Sequence, residues 1–398
     1  VSEKTTGLIH HPYRPPAGFD SPQVGIYKAS TVYFPNAAAM RSTRWKDKTG
    51  YTYGLHGTPT TFTLEERLCT LEGGLHCVLA PSGLAAIALV DMALLSAGDE
   101  LLLPNNVYGP SRAFADGELS RWGIRYQTYD PMNPADLEAK IGERTRLVWL
   151  EAPGSVSMEF PDLPALLRVC KAAQAGKGIV SALDNTWGAG LAFNPFDVLH
   201  DGQLGADISI QALTKYPSGG GDVLMGSVIT RSPALHQRVQ DAHMRLGLNV
   251  AANDAEAVLR SLPSISIRYA AHDHAARVLA QWFSTRSEVI RVLHPALADS
   301  PGHAHWQAVC RSGRAAGLFS VVFDERYDQA AVDRFCDGLE LFRLGYSWGG
   351  PVSLVVPYDM PAQRGPAWTQ HGRLVRFSIG LEETADLQGD LATALGHL

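Results

Sequence analysis

Residues 77–80, 100–103, 147–150 and 178–183 form short apolar runs, each separated from the next by a stretch of helical spacing. A run without an alternating polar face has nothing to offer solvent, so it reads as a parallel strand covered by helices on both sides. The repetition predicts a large, doubly wound, mostly parallel α/β domain over residues 58–258. Leu318–Phe323 and residues 376–380 read as strands among amphipathic helices, which predicts a smaller α+β domain over residues 259–398. Residues 1–57, rich in Pro, Gly, Tyr and Thr, show no long helical period and read as an extended arm. Thr63-Leu64-Glu65-Glu66 fits a capping box and predicts a helix from that point, with Leu64, Leu68 and Leu71 at helical spacing.

Of 398 residues 45% are hydrophobic, enough for a full core, and this excludes a disordered chain. The 34 basic and 40 acidic side chains leave a net charge of −6 with no basic stripe, which argues against a nucleic-acid partner. Residues 77–98 are the most apolar stretch, but Pro81, Ser82, Gly83 and Asp91 interrupt it, so it reads as a buried helix and not as a membrane span. The opening VSEKTTGLIHHPYRPP has no apolar core of a signal peptide. Five scattered Cys without a C-x-x-C pair point to reduced thiols in the cytoplasm. Lysine is scarce, 8 against 26 Arg, and none follows Lys215.

In open α/β sheets the chemistry sits just beyond the carboxyl ends of the strands, and three such loops stand out. Pro81-Ser82-Gly83-Leu84 opens a helix after the first run; free N–H groups at a helix start attract an anion, and Gly83 lets a phosphate approach closely. Taken alone it reads more readily as a capped helix after a tight turn. Asp184-Asn185-Thr186-Trp187 follows the fourth run, where a carboxylate can hold a protonated ring nitrogen. An Asp-Asn turn is its plain alternative. Lys215 stands between residues 208–210 and the turn Gly219-Gly220-Gly221; partial desolvation there favours the neutral amine that a carbonyl requires. An ordinary lysine would be a solvated surface residue. Phosphate site, ring-nitrogen partner and amine together match the three groups of pyridoxal 5′-phosphate (PLP). Nucleotide fingerprints of the G-x-G-x-x-G or G-x-x-x-x-G-K-[ST] type are absent.

Further motifs run in order along nearly the whole chain: Tyr53-Gly54-x-x-Gly57-Thr58, Leu71-Glu72-Gly73-Gly74, residues 105–111, Leu150-Glu151-x-Pro153-Gly154-Ser155, Gln211-Ala212-x-Thr214-Lys215-Tyr216, Tyr346-Ser347-Trp348-Gly349-Gly350 and residues 376–382. With them the sequence resembles the Cys/Met-metabolism family of PLP enzymes, and within it the bacterial β-lyases that act on cystathionine. The resemblance implies the fold type I, aspartate aminotransferase-like architecture, a small sulfur amino acid as substrate, and a homotetramer of paired dimers joined through the arm. It implies Lys215 as the Schiff-base lysine, Asp184 as partner of the pyridinium nitrogen and Tyr108 as the ring stacked on the cofactor. It also implies Gly83, Leu84 and Thr214 as the phosphate cradle, Arg376 as the grip on the substrate carboxylate with Ser347 and Trp348 beside it, and Tyr53 reaching in from a neighbouring subunit. Lys215, Tyr108 and Tyr53 are the expected catalytic set; no metal is expected.

Three positions depart from the family pattern. Leu55, followed by His56, stands where relatives commonly have a phosphate-binding Arg. Ala212 stands where many have Ser, a change the β-lyases share, and Val352 replaces a Glu at the distal end of the substrate site. Trp348 separates the chain from γ-acting relatives, which tend to carry Leu; γ-lyase and γ-synthase activities are the nearest alternatives. Gly345-Tyr346-Ser347-Trp348-Gly349 also fits a nucleophile elbow, which would need a later acid such as Asp359 and a later base such as His371. A third alternative is a PLP-binding regulatory protein without turnover. His272-x-His274 and His303-x-His305 resemble metal pairs, but i, i+2 spacing on a helix parts the rings, so both read as surface or interface histidines. Cys77 reads as strand packing.

Overall fold

A computed structural model of the chain describes residues 2–10, 17–18, 21 and 23–398. Seven strands form the larger sheet: β1 (His76–Ala80), β2 (Glu100–Pro104), β3 (Arg125–Tyr129), β4 (Thr145–Glu151), β5 (Val180–Asp184), β6 (Ile208–Ala212) and β7 (Gly226–Thr230). They lie in the order β1-β7-β6-β5-β4-β2-β3, with β7 alone running against its neighbours. Alternate residues of the strands enter opposite cores: Leu79, Leu102, Val148 and Leu183 on one side, Val78, Leu101, Leu147 and Ala182 on the other. All eight are buried, as expected for a sheet covered on both faces.

The second sheet contains β8 (Val289–Leu293), β9 (Leu318–Phe323), β10 (Arg343–Leu344), β11 (Leu354–Tyr358) and β12 (Arg373–Ser378), in the order β10-β11-β12-β9-β8. Only β10 and β11 pair in parallel. The last strand begins three residues earlier than residues 376–380 imply, so Arg376 lies inside β12, opposite Val356 of β11 and Ser320 of β9. Tyr216 ties this unit to the first: its buried hydroxyl accepts from the Gly317 N–H at 2.8 Å, and its carbonyl accepts from Arg268 at 2.8 Å. The residue after Lys215 is thereby locked in place.

Several local expectations are corrected. The arm is not wholly extended, since Ser2–Ile9 and Ala37–Ser42 are helical. Leu8 buries itself at 2% exposure in the larger core, a tertiary contact too short to leave a sequence period. Residues 11–16, 19–20 and 22 of the arm lie outside the described residues. The next helix is Pro59–Glu72, not one starting at Thr63. Thr58 caps it in a reciprocal pair with Thr61, and Pro59 at the first helical position fits because its missing N–H is not needed there. The Thr63 hydroxyl instead donates to the Pro59 carbonyl within the helix at 2.7 Å.

His272 is not a surface residue; it is buried and its Nδ1 donates to the Ile379 carbonyl at 2.6 Å. His274 is exposed, so the pair does part, and among the described residues no group of His, Cys, Asp and Glu is placed to hold a metal. Cys77 is fully buried, and burial pushes its thiol well above the usual range, which leaves it inert packing. No helix among the described residues is long and apolar enough to cross a membrane.

The apolar helix Gly83–Leu94 contains a buried acid, Asp91, which accepts from the Trp149 indole at 2.8 Å. Burial pushes its carboxyl up to about 7. A carboxyl whose proton affinity is raised by folding contributes stability while protonated and loses it as pH rises from its unfolded value near 4 through about 7. Asp91→Asn keeps the acceptor and cannot ionise. Stability, read from urea unfolding, should therefore fall less between pH 5 and pH 8 in the variant than in the wild type, the difference over that window being about 3 kcal/mol. Equal slopes for the two proteins would show that Asp91 stays ionised throughout.

Candidate active site

The carboxyl ends of β1, β2, β4, β5 and β6 lie along one edge of the larger sheet. After β1, Ser82 caps the helix Gly83–Leu94 by accepting from the Ala85 N–H at 3.0 Å, which leaves the N–H groups of Gly83 and Leu84 at the open helix start. A Cβ on Gly83 would come within 2.6 Å of the Ala212 methyl, so the small pair 83/212 is what permits this close approach of helix and strand. Thr214 is at present bonded to Met225: its hydroxyl donates to the Met225 carbonyl at 3.3 Å and accepts from the Met225 N–H at 3.2 Å.

Lys215 follows β6 and donates to the Ser347 hydroxyl at 2.7 Å, with its ammonium 5.5 Å from the Trp348 ring centre. Burial is the largest influence on its amine, Arg376 acts in the same direction, and Asp184 opposes them; the result is a pKa lowered to about 8. The neutral amine is thus accessible near physiological pH. Gly349, at φ 77, lets the chain turn over this residue, since a Cβ there would be 2.9 Å from the Tyr216 nitrogen. Ser347 itself has φ 144, a strained value for a residue with a side chain.

Asp184 ends β5, accepts from the Thr186 N–H at 3.0 Å, and is raised in pKa chiefly by burial. Level with it on β4 stands Glu151, pushed up to about 8 by burial first and by Asp184 second. Two adjacent buried carboxylates repel, so the proton affinity of both is raised. Glu151 also accepts from the Tyr108 N–H at 2.9 Å and so fixes the residue from which the aromatic ring projects. The sequence motif contained Glu151 without giving it a task; its position at the end of a strand beside Asp184 was the available signal.

A third buried carboxylate, Glu72, lies nearby. Glu72 accepts from Asn185 at 2.8 Å, from Gln211 at 2.7 Å and from the Ser209 hydroxyl, so one side chain holds the ends of β5 and β6 together. Burial pushes it up to about 7. Three donors aimed at one carboxylate suit its ionised form, and the network holds Asn185, next to Asp184, against β6.

Arg376 projects from β12 near Lys215 and Ser347, is only 8% exposed, and is held by a long bond from Nη2 to the Ser347 carbonyl at 3.4 Å and by the Tyr358 side chain. Its Nε has no partner, and it belongs to none of the ion pairs among the described residues. A buried cation in that state is poised for an incoming anion. Tyr53 does not join this group within the chain; it stands 48% exposed on the arm, edge-on to His56. His56 stacks on Trp45 at 4.1 Å and bonds Thr52 at 2.8 Å, so the ring beside Leu55 is occupied within its own arm.

The nucleophile-elbow reading fails on this geometry. Ser347 faces Lys215, while Asp359 is spent as a helix cap, accepting from Ala362, and His371 is exposed. By contrast the helix-start anion site, the buried carboxylate and the lysine of lowered pKa stand around one cleft, as PLP requires of its phosphate, ring nitrogen and carbonyl.

Comparison with known proteins agrees. A putative cystathionine β-lyase of Rhizobium johnstonii is 39% identical over 94% of this chain and 90% of its own length. The cystathionine β-lyase of Bordetella avium is 38% identical over 98% of this chain and 96% of its own. Among solved structures, the cystathionine γ-synthase of Xanthomonas oryzae pv. oryzae superposes with a TM-score of 0.88 at 29% identity, covering 99% and 98% of the two chains. The family model described as Cys/Met metabolism PLP-dependent enzyme matches residues 5–396, and the chain belongs to that family.

Proposed function

We infer that the chain is a PLP-dependent carbon–sulfur lyase that cleaves L-cystathionine to homocysteine, pyruvate and ammonia by α,β-elimination. The observation that carries this reading is the pairing of a lysine lowered to about 8 with a buried, unpaired Arg376 on the same cleft. One group can take a proton from Cα and the other can hold the carboxylate attached to it.

When bound, PLP supplies the electron sink that makes the Cα proton removable. Gly83 and Leu84, with Thr214 if its hydroxyl turns from Met225, would hold the phosphate, Asp184 the ring nitrogen, and Tyr108 the ring face. The Lys215 amine, in its neutral form, would take the Cα proton. As the Cβ–S bond breaks, the sulfur of homocysteine takes a proton from Lys215 or Tyr108, and the remaining enamine fragment adds water to give pyruvate and ammonia. Ser347 and Trp348 flank Lys215 and would orient the substrate. We further propose a homotetramer in the cytoplasm, with Tyr53 completing a neighbour's site; exposed arm residues Ile26, Tyr33 and Tyr53 and five free cysteines support this.

A γ-acting relative removes a group one carbon further out, so substrates separate the readings. Cystine carries its sulfur on Cβ and methionine on Cγ. Incubated side by side, cystine should yield pyruvate and methionine should remain intact; release of 2-oxobutyrate from methionine would make the enzyme a γ-lyase.

A further inference from the structure

We propose that Tyr358 is a positioning residue that holds the Arg376 guanidinium in register for the substrate carboxylate; this rests on reading Arg376 as the carboxylate anchor. In the β11–β12 pair Val356 stands opposite Arg376, so Tyr358, two residues on, shares its face at the diagonal position where long side chains meet. The guanidinium carbon lies 5.3 Å from the Tyr358 ring centre, within range of a cation–π contact.

The rest of the guanidinium's surroundings make this contact decisive. Its bond to the Ser347 carbonyl is long, the Tyr358 hydroxyl is its other side-chain hydrogen-bond partner, and its Nε is buried without a partner. The charged and titratable groups around it are Tyr108, Tyr346, Tyr358 and Lys215, with no carboxylate among its main influences. A carboxylate at 358 would fix the arginine equally well but would neutralise it. An aromatic face restrains it and leaves the full positive charge for the ligand. Covering one face also leaves the edges of the planar fork as the route for a carboxylate, which is the bidentate geometry. Tyr358 is itself half-buried and packed against the larger core, so its ring has a firm backing.

The test uses the PLP-loaded full chain, with L-alanine as an amino acid that has no leaving group and ethylamine as its counterpart without a carboxylate. Binding is followed by the change in the visible absorbance band. Tyr358→Leu keeps the apolar bulk and removes the π face; L-alanine affinity should fall about tenfold, the size of one desolvated cation–π contact. Ethylamine affinity should stay within about twofold of the wild type, and KM for cystathionine should rise more than kcat falls. Tyr358→Phe, which keeps the ring face and loses only the hydroxyl's bond to Arg376, should restore most of the L-alanine binding. Tyr358→Met provides a second variant of similar bulk if the leucine protein does not fold. Unchanged L-alanine affinity, or an equal loss for both ligands, would overturn the proposal. Arg376→Lys separates the two readings: if it leaves L-alanine binding intact, the anchor itself is misassigned, whereas if it weakens binding and Tyr358→Leu does not, only the role of Tyr358 fails.

Discussion

Replacing Lys215 by alanine should remove the visible absorbance of the PLP-loaded protein and lower lyase turnover by at least about 10⁴-fold, because a covalent attachment point and a general base are lost together. The structure explains why no neighbour substitutes. Within the cleft the remaining nitrogen cation is Arg376, which burial lowers in pKa but whose guanidinium begins far above the range of a useful base. Lys215→Arg should be equally inactive, since it restores charge and hydrogen bonding to Ser347 but not a neutral amine. Neither change should destabilise the fold, as Tyr216, not Lys215, makes the buried contacts to Gly317 and Arg268. An alanine variant that kept the absorbance band would mean that another amine carries the cofactor.

Arg376→Ala should lower kcat/KM for cystathionine about a thousandfold, mostly through KM, which corresponds to leaving a buried carboxylate without its partner. The free protein should be as stable as the wild type or more so, because the arginine is buried without a counter-anion. The same substitution has a pH signature. Arg376 is the second influence holding Lys215 down to about 8, after burial itself. Capture of PLP by the cofactor-free protein requires the neutral amine, so its rate should rise with pH through about 8. In Arg376→Ala, Lys215 keeps its proton to higher pH, and the midpoint should move upward. A midpoint that stayed in place would show that the two cations do not feel each other.

The sheet was legible where its strands are buried on both faces, because Leu79, Leu102, Val148 and Leu183 leave no polar alternation to confuse with a helix. It was illegible where that physics does not apply. The edge strand β3, Arg-Tyr-Gln-Thr-Tyr, alternates between exposed and partly covered residues, and β7 starts with the small residues Gly226 and Ser227 against β1. Neither is an uninterrupted apolar run. Within the site, Lys215, Asp184 and Gly83 could be found because each follows a recognisable strand. Glu151 was in view but without a role, since its effect comes from lying level with Asp184 on a neighbouring strand. Tyr358 was invisible for the same reason: its partner is 18 residues away in sequence and one strand across. Pairing across a sheet depends on register, and register is what a single sequence states least directly.

The oxo acid released from L-cystathionine decides between β- and γ-cleavage. Purified, PLP-loaded protein incubated with L-cystathionine should give pyruvate and a free homocysteine thiol in equal amounts, identified by mass. Formation of 2-oxobutyrate with cysteine, or no oxo acid at all, would contradict β-cleavage.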